Sequence, residues 1–122
     1  MNFTSLSRRW TIAECAAGPE DVIRSLIDAV VGNLPENSLG HVKGYVEFQH
    51  GAVFGSSTLI PPEVTLQQTG DYQGGNMWVN VTMIFSDLSR EVMAAALGMA
   101  ADQIAQRWNC KMNDVTGEIH GD

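Results

Sequence analysis

The chain has 122 residues, of which 44% are hydrophobic and 17% charged. That length fits one domain spanning 1–122, and the composition excludes a disordered chain and a coiled coil. Fourteen acidic side chains against seven basic ones leave a formal net charge of −7, which sets nucleic acid and anionic membrane aside as main partners, because both need a basic footprint.

Residues 8–15 read as a first strand with weak alternation, and 1–7 as a candidate flexible tail. Gly18-Pro19-Glu20-Asp21 starts a helix. Proline suits the first turn, where its missing N–H has no partner, and the two carboxylates favour the positive end of the helix dipole. Val22, Ile23, Leu26, Ile27, Val30 and Leu34 recur at helical spacing, giving an amphipathic helix of about 14 residues. Gly32-Asn33 is expected to end it with a positive φ, and Pro35 blocks continuation.

His41 to Gln49 and Ala52 to Ile60 flank His50-Gly51, which reads as a two-residue hairpin turn. Positions summing to 101 then face each other. Val42, Gly44, Val46 and Phe48 meet Leu59, Ser57, Gly55 and Val53 on the core side. The other side carries His41, Lys43, Tyr45, Glu47 and Phe54. Glu63 to Thr69 is a further strand, and Gly70 to Asn76 a turn. Met77 to Phe85 alternates apolar residues with Trp78, Asn80, Thr82 and Ile84. Ser86 to Ser89 offers caps for a long helix over 89–108. Met93, Ala96, Leu97, Ala100, Ala101 and Ile104, with Val92 and Trp108, form its expected buried stripe. Gly98 suggests a close approach to a neighbouring element. Residues 112–122 read as a tail or an edge strand.

The order predicts an α+β two-layer sandwich: an antiparallel sheet of three to five strands with two helices packed on one face. Its other face is left open and collects Tyr45, Phe54 and Trp78 with His41, Lys43, Glu47 and Asn80. Aromatic anchors beside polar groups fit an interface between copies of this chain, which is the favoured expectation. They also fit a small neutral or cationic ligand, with Tyr45, Glu47, Trp78 and Asn80 lining the site and Asp71 to Gly75 as a lid. An ordinary half-exposed sheet is the plainer alternative.

No nucleophile elbow, phosphate-binding loop or dinucleotide glycine pattern is present. Tyr45 and Glu47, two apart on one strand face, are the nearest thing to an acid–base pair. Glu47-Phe48-Gln49-His50 has helical metal-ligand spacing but ends a strand, so its two ligand types point apart. Glu118, His120 and Asp122 share a face if extended, but a solvated acidic tail is the expectation. No cofactor or metal is expected. Cys15 and Cys110 form no zinc or multi-bridge pattern and read as reduced thiols of a cytoplasmic protein, with a single bridge between them left open because sequence gives no distances. No apolar run has the length of a membrane span.

Overall fold

The described residues, 2–59 and 62–116 of a computed structural model, form two helices and six strands. In chain order these are β1 (Phe3–Ala13), α1 (Pro19–Gly32), β2 (Leu39–Phe48), β3 (Gly51–Leu59), β4 (Pro62–Thr69), β5 (Met77–Ser86), α2 (Arg90–Trp108) and β6 (Lys111–Asp114). The strands make one antiparallel sheet in the order β4-β3-β2-β5-β1-β6. β5 enters between β2 and β1, so β1-α1-β2 is a split β-α-β unit. The β3–β4 pair extends that unit on the β2 side. The class agrees with the sequence expectation. The strand count is one higher than expected, because a short β6 forms where a tail or an edge strand was foreseen.

Both helices cover the same face. α1 packs on β2, β3 and β4, and α2 on β1 and β6, with the two helices touching each other. Val22, Ile23, Leu26, Ile27 and Val30 are buried from α1, and Met93, Leu97, Ala100 and Ile104 from α2. They meet Met77, Val79, Val81, Met83 and Phe85 of β5 and Val42 and Val46 of β2. Each of these Val, Ile, Leu, Met and Phe side chains contributes about 1.5–3 kcal/mol on burial. The seat of α1 depends on two glycines facing each other across β2 and β3, Gly44 and Gly55. A Cβ on Gly44 would run into the Ile23 side chain, and one on Gly55 would lie 3.0 Å from Ile27 Cδ1.

Several local expectations need correction. β1 starts at Phe3 rather than near residue 8. The β2–β3 register pairs Val46 with Val53 and Phe48 with Gly51, so facing positions sum to 99 and the turn is Gln49-His50. Gly51 belongs to the strand, where a side chain would strike the Thr69 carbonyl and the Phe48 ring. α1 does not end with a positive φ: Asn33 has φ −98°. Its side-chain amide instead donates to the Ala29 carbonyl at 2.7 Å and to Gln103 of α2 at 3.1 Å. Ser89 caps α2 by accepting from the Val92 amide at 3.2 Å. Val92 is exposed and Trp108 half-buried, so both fall outside the buried stripe of α2. Gly98 makes no close approach, since an added Cβ would meet nothing within 4 Å.

Cys15 and Cys110 are joined as a disulfide, with Cα atoms 4.2 Å apart. This corrects the expectation of two reduced thiols. The bond ties the turn after β1 to the turn after α2. The residues just before each cysteine, Glu14 and Asn109, both take a positive φ. Beside the bond Lys111 and Glu14 form an exposed ion pair at 2.7 Å.

Three outcomes are expected in urea unfolding. Gly98→Ala should stabilise the chain by about 0.5–1 kcal/mol, because an exposed helix interior gains from alanine. Gly40→Ala should destabilise it by about 1–3 kcal/mol, because the added Cβ meets the Ile84 carbonyl, a backbone atom with little freedom to retreat. Reductant should lower stability by about 2–5 kcal/mol, since the bond closes a loop of sequence separation 95.

Candidate functional site

The face of the sheet opposite the helices is set by strand parity. β2 buries Val42, Gly44, Val46 and Phe48, so His41, Lys43, Tyr45 and Glu47 point the other way. β5 buries its odd positions and turns Trp78, Asn80, Thr82 and Ile84 outward. Phe54 stands on the same side from β3, and Arg9 from β1.

The register arranges these residues in rows. Phe54, Tyr45, Asn80 and Arg9 follow one another across four strands, and Ala52, Glu47, Trp78 and Thr11 form the next row. On the other side of the Tyr45 row, Lys43 lies between Ser56 and Thr82, and His41 lies beyond it beside Ile84. Five of the seven sequence-derived candidates (Tyr45, Glu47, Phe54, Trp78 and Asn80) therefore share two adjacent rows. Lys43 borders them, and His41 stands apart at the far end.

Tyr45 is the centre of the arrangement. Its ring packs on Phe54 with centroids 4.8 Å apart and planes tilted by 50°. Its hydroxyl donates to Glu47 Oε2 at 3.0 Å. Partial burial of the phenol raises its pKa above the ordinary value, and the hydrogen bond and negative charge of Glu47 raise it further. Beside it, Asn80 Oδ1 is buried without a hydrogen-bond partner.

Three shallow depressions surround Tyr45. One of about 490 Å³ lies between Lys43, Phe54, Ser56, Thr65 and Asn80. One of about 180 Å³ is bounded by Arg9, Glu47, Trp78 and Asn80. A third of about 590 Å³ runs past Glu47, Ala52 and Trp78 toward Gln49. Hydroxyl pairs line the rest of the face: Ser7 with Thr82 at 2.9 Å, and Ser56 with Thr65 at 3.1 Å.

Apolar side chains break this polar surface. Phe3, Leu39, Phe54 and Ile84 are 67%, 50%, 50% and 44% exposed. Phe3 and Leu39 both pair in register with Ser86, two residues beyond Ile84. Three of the four thus cluster at one end of the face. Sequence reasoning missed Phe3, Leu39 and Arg9. Phe3 and Arg9 lie on β1, whose alternation is broken by Arg8 on the helix side. Leu39 precedes the strand start that the sequence suggested.

Other sequence candidates fall elsewhere. The Asp71–Gly75 segment is held on the helix side, not over the open face. Tyr72 packs edge-on against Phe48 at 5.5 Å, and its hydroxyl donates to the Gly75 carbonyl at 2.9 Å. It is therefore not placed as a lid for these depressions. His50 sits in the exposed hairpin turn and Glu47 on the open face, so they do not converge. Among the described residues no three His, Cys, Asp or Glu side chains gather as metal ligands. Glu118, His120 and Asp122 lie outside the described residues.

The chain matches no protein-family model, no curated protein and no solved structure.

Glu47→Gln should bring the Tyr45 pKa down, though not fully to its ordinary value near 10, because burial remains. Ultraviolet titration of the phenolate checks this. The raised pKa has a linked effect on stability. The contribution of Tyr45 is complete below its unfolded pKa and is lost as pH rises through the folded one. Unfolding above pH of about 10 should thus be less steeply pH-dependent in Glu47→Gln than in the parent.

Proposed function

We propose that the protein works by association, pairing the open face of its sheet with the same face of a second copy. The observation that carries this reading is the placement of exposed apolar groups. Of the six large apolar side chains exposed among the described residues, Phe3, Leu39, Phe54 and Ile84 stand on this face, and only Val92 and Met99 lie on α2. Aromatic and aliphatic anchors in a polar rim are the composition of interfaces.

Charge supports the same reading. The open-face strand positions carry Arg9, Lys43 and Lys111 against Glu47 and Glu63. The acidic surplus lies on the helices and connections, at Glu20, Asp21, Asp28, Glu91 and Asp102 among others. Two copies can meet here without opposing their net charges. Five inter-strand steps of about 4.8 Å and strands of about 25 Å give a flat area of about 600 Å². Upright side chains increase the accessible surface beyond that, toward the roughly 800 Å² per partner of a stable interface.

A second reading takes the depression between Arg9, Glu47, Trp78 and Asn80 as a site for a small neutral or cationic ligand. The buried, partnerless Asn80 Oδ1 favours it. The size of the depression, about 180 Å³, weighs against it, because ligand clefts usually exceed about 300 Å³. Neither reading assigns a reaction.

For the compartment, no helix among the described residues is long and apolar enough to cross a membrane. The cytoplasmic location read from the sequence remains a proposal. The Cys15–Cys110 bond argues against it, because such bonds persist in oxidising surroundings.

Light scattering during size exclusion tests the association. A mass of about twice the 13.3 kDa of one chain, or more, is expected at micromolar concentration. Phe54→Glu, which buries a carboxylate in that interface, should lower the affinity about 100-fold or more. An unchanged mass in Phe54→Glu would remove the face reading. Tryptophan fluorescence that responds to a metabolite, with mass unaltered, would favour the ligand reading.

A further inference from the structure

An open sheet has two edges, and this one treats them differently. β6 is four residues long and carries Lys111 and Asp114, and the bond from the Val115 amide to the Arg9 carbonyl at 2.8 Å carries its ladder with β1 one residue further. That edge is short and charged, two of the ways in which natural edges are protected. β4 lacks such protection beyond its first two residues, Pro62 and Glu63. It is eight residues long, and after Glu63 it runs Val64-Thr65-Leu66-Gln67-Gln68-Thr69 without a charge. Among the described residues no backbone hydrogen bond reaches it beyond its ladder with β3. Alternate N–H and C=O groups along its outer side therefore point away from the sheet.

We infer that β4 pairs antiparallel with β4 of a second copy, joining two sheets edge to edge. The inference goes beyond the face reading and does not depend on it, since it concerns the rim of the sheet. Its argument is self-complementarity. A two-fold axis at Leu66 sets Leu66 opposite Leu66, Val64 opposite Gln68, Thr65 opposite Gln67 and Glu63 opposite Thr69. No like charges face each other, which is the condition for a stable antiparallel pair. Each contact made from one copy is repeated from the other, so the assembly closes at two. Val64 and Leu66 are half-buried on the helix side, so pairing would complete their burial. The strand spans about 24 Å, and a contact of that length is smaller than a standard interface, so the pairing is weak and concentration-dependent.

Hydrogen exchange and mass, both measured on the oxidised full chain, test the pairing. The first variant is Phe54→Glu, which removes the face contact and isolates the edge. From about 10 to about 500 µM its mass should rise from one chain to two. Over the same range alternate amides within 63–69 should exchange about tenfold more slowly, while their neighbours do not change. Thr65→Pro and Leu66→Pro then probe the two sides of the strand in that background. Adjacent residues send their N–H groups in opposite directions, so one proline removes a bond to β3 and the other an outward donor. The outward one should keep the melting temperature and abolish the rise in mass. If both prolines unfold the chain, the exchange measurement decides alone. A variant Phe54→Glu that stays monomeric, with β4 amides unprotected at the highest concentration, would overturn the inference and leave the edge to an extended segment of another protein. A failed face reading would show separately, as a parent protein whose mass Phe54→Glu does not change.

Discussion

Ile23 and Ile27 rest where two facing strands carry no side chain. Gly44 and Gly55 leave that space, and α1 fills it. The contact fixes how near the helix lies to the sheet and which face of β2 and β3 becomes interior. Strand geometry does the rest, because successive side chains point to opposite faces. Tyr45 follows Gly44 and Phe54 precedes Gly55, so the glycine pair on the inside has the aromatic pair directly behind it on the outside. The closest helix contact and the most prominent surface feature are two sides of one place in the sheet.

The uncovered face reconciles two demands. Hydroxyl pairs such as Ser7–Thr82 and Ser56–Thr65 satisfy one another and water, and keep most of the face compatible with solvent. Phe3, Leu39 and Ile84 at one end, and Phe54 near the middle, do not share that property. A surface that is polar throughout needs no partner, and one that is apolar throughout aggregates. A polar field with apolar islands is suited to contacts that form and separate.

The parts legible in the sequence are those whose signal is local. α1 could be read to within a residue, because its apolar positions follow the helical period and Pro19 marks its start. The faces of β2 and β3 were also assigned correctly although the register was displaced by two positions. A shift of two returns every side chain to the same face, whereas a shift of one would have inverted them. The displacement itself has a physical cause. Gly51 has the look of a turn residue, yet its missing side chain serves the approach of Thr69 and Phe48. β1 was obscured because Arg8 interrupts Leu6, Trp10 and Ile12 on the inner side. With β1 shortened, Phe3 could not be placed on the open face, and the weak alternation hid the face of Arg9. The meeting of Cys15 with Cys110 lies further from reach, since it depends on where two distant turns end in space.

That bond also decides how the chain transmits force. Residues 15–110 form a covalently closed loop that contains both helices and four of the six strands. A pull applied from either side of the bond bypasses the loop, so residues 15–110 do not extend while the bond holds. For the same reason a protease that cuts at an exposed turn such as Gly74-Gly75 would open the backbone without separating the pieces. Mechanically and proteolytically, residues 15–110 of the oxidised chain behave as a ring.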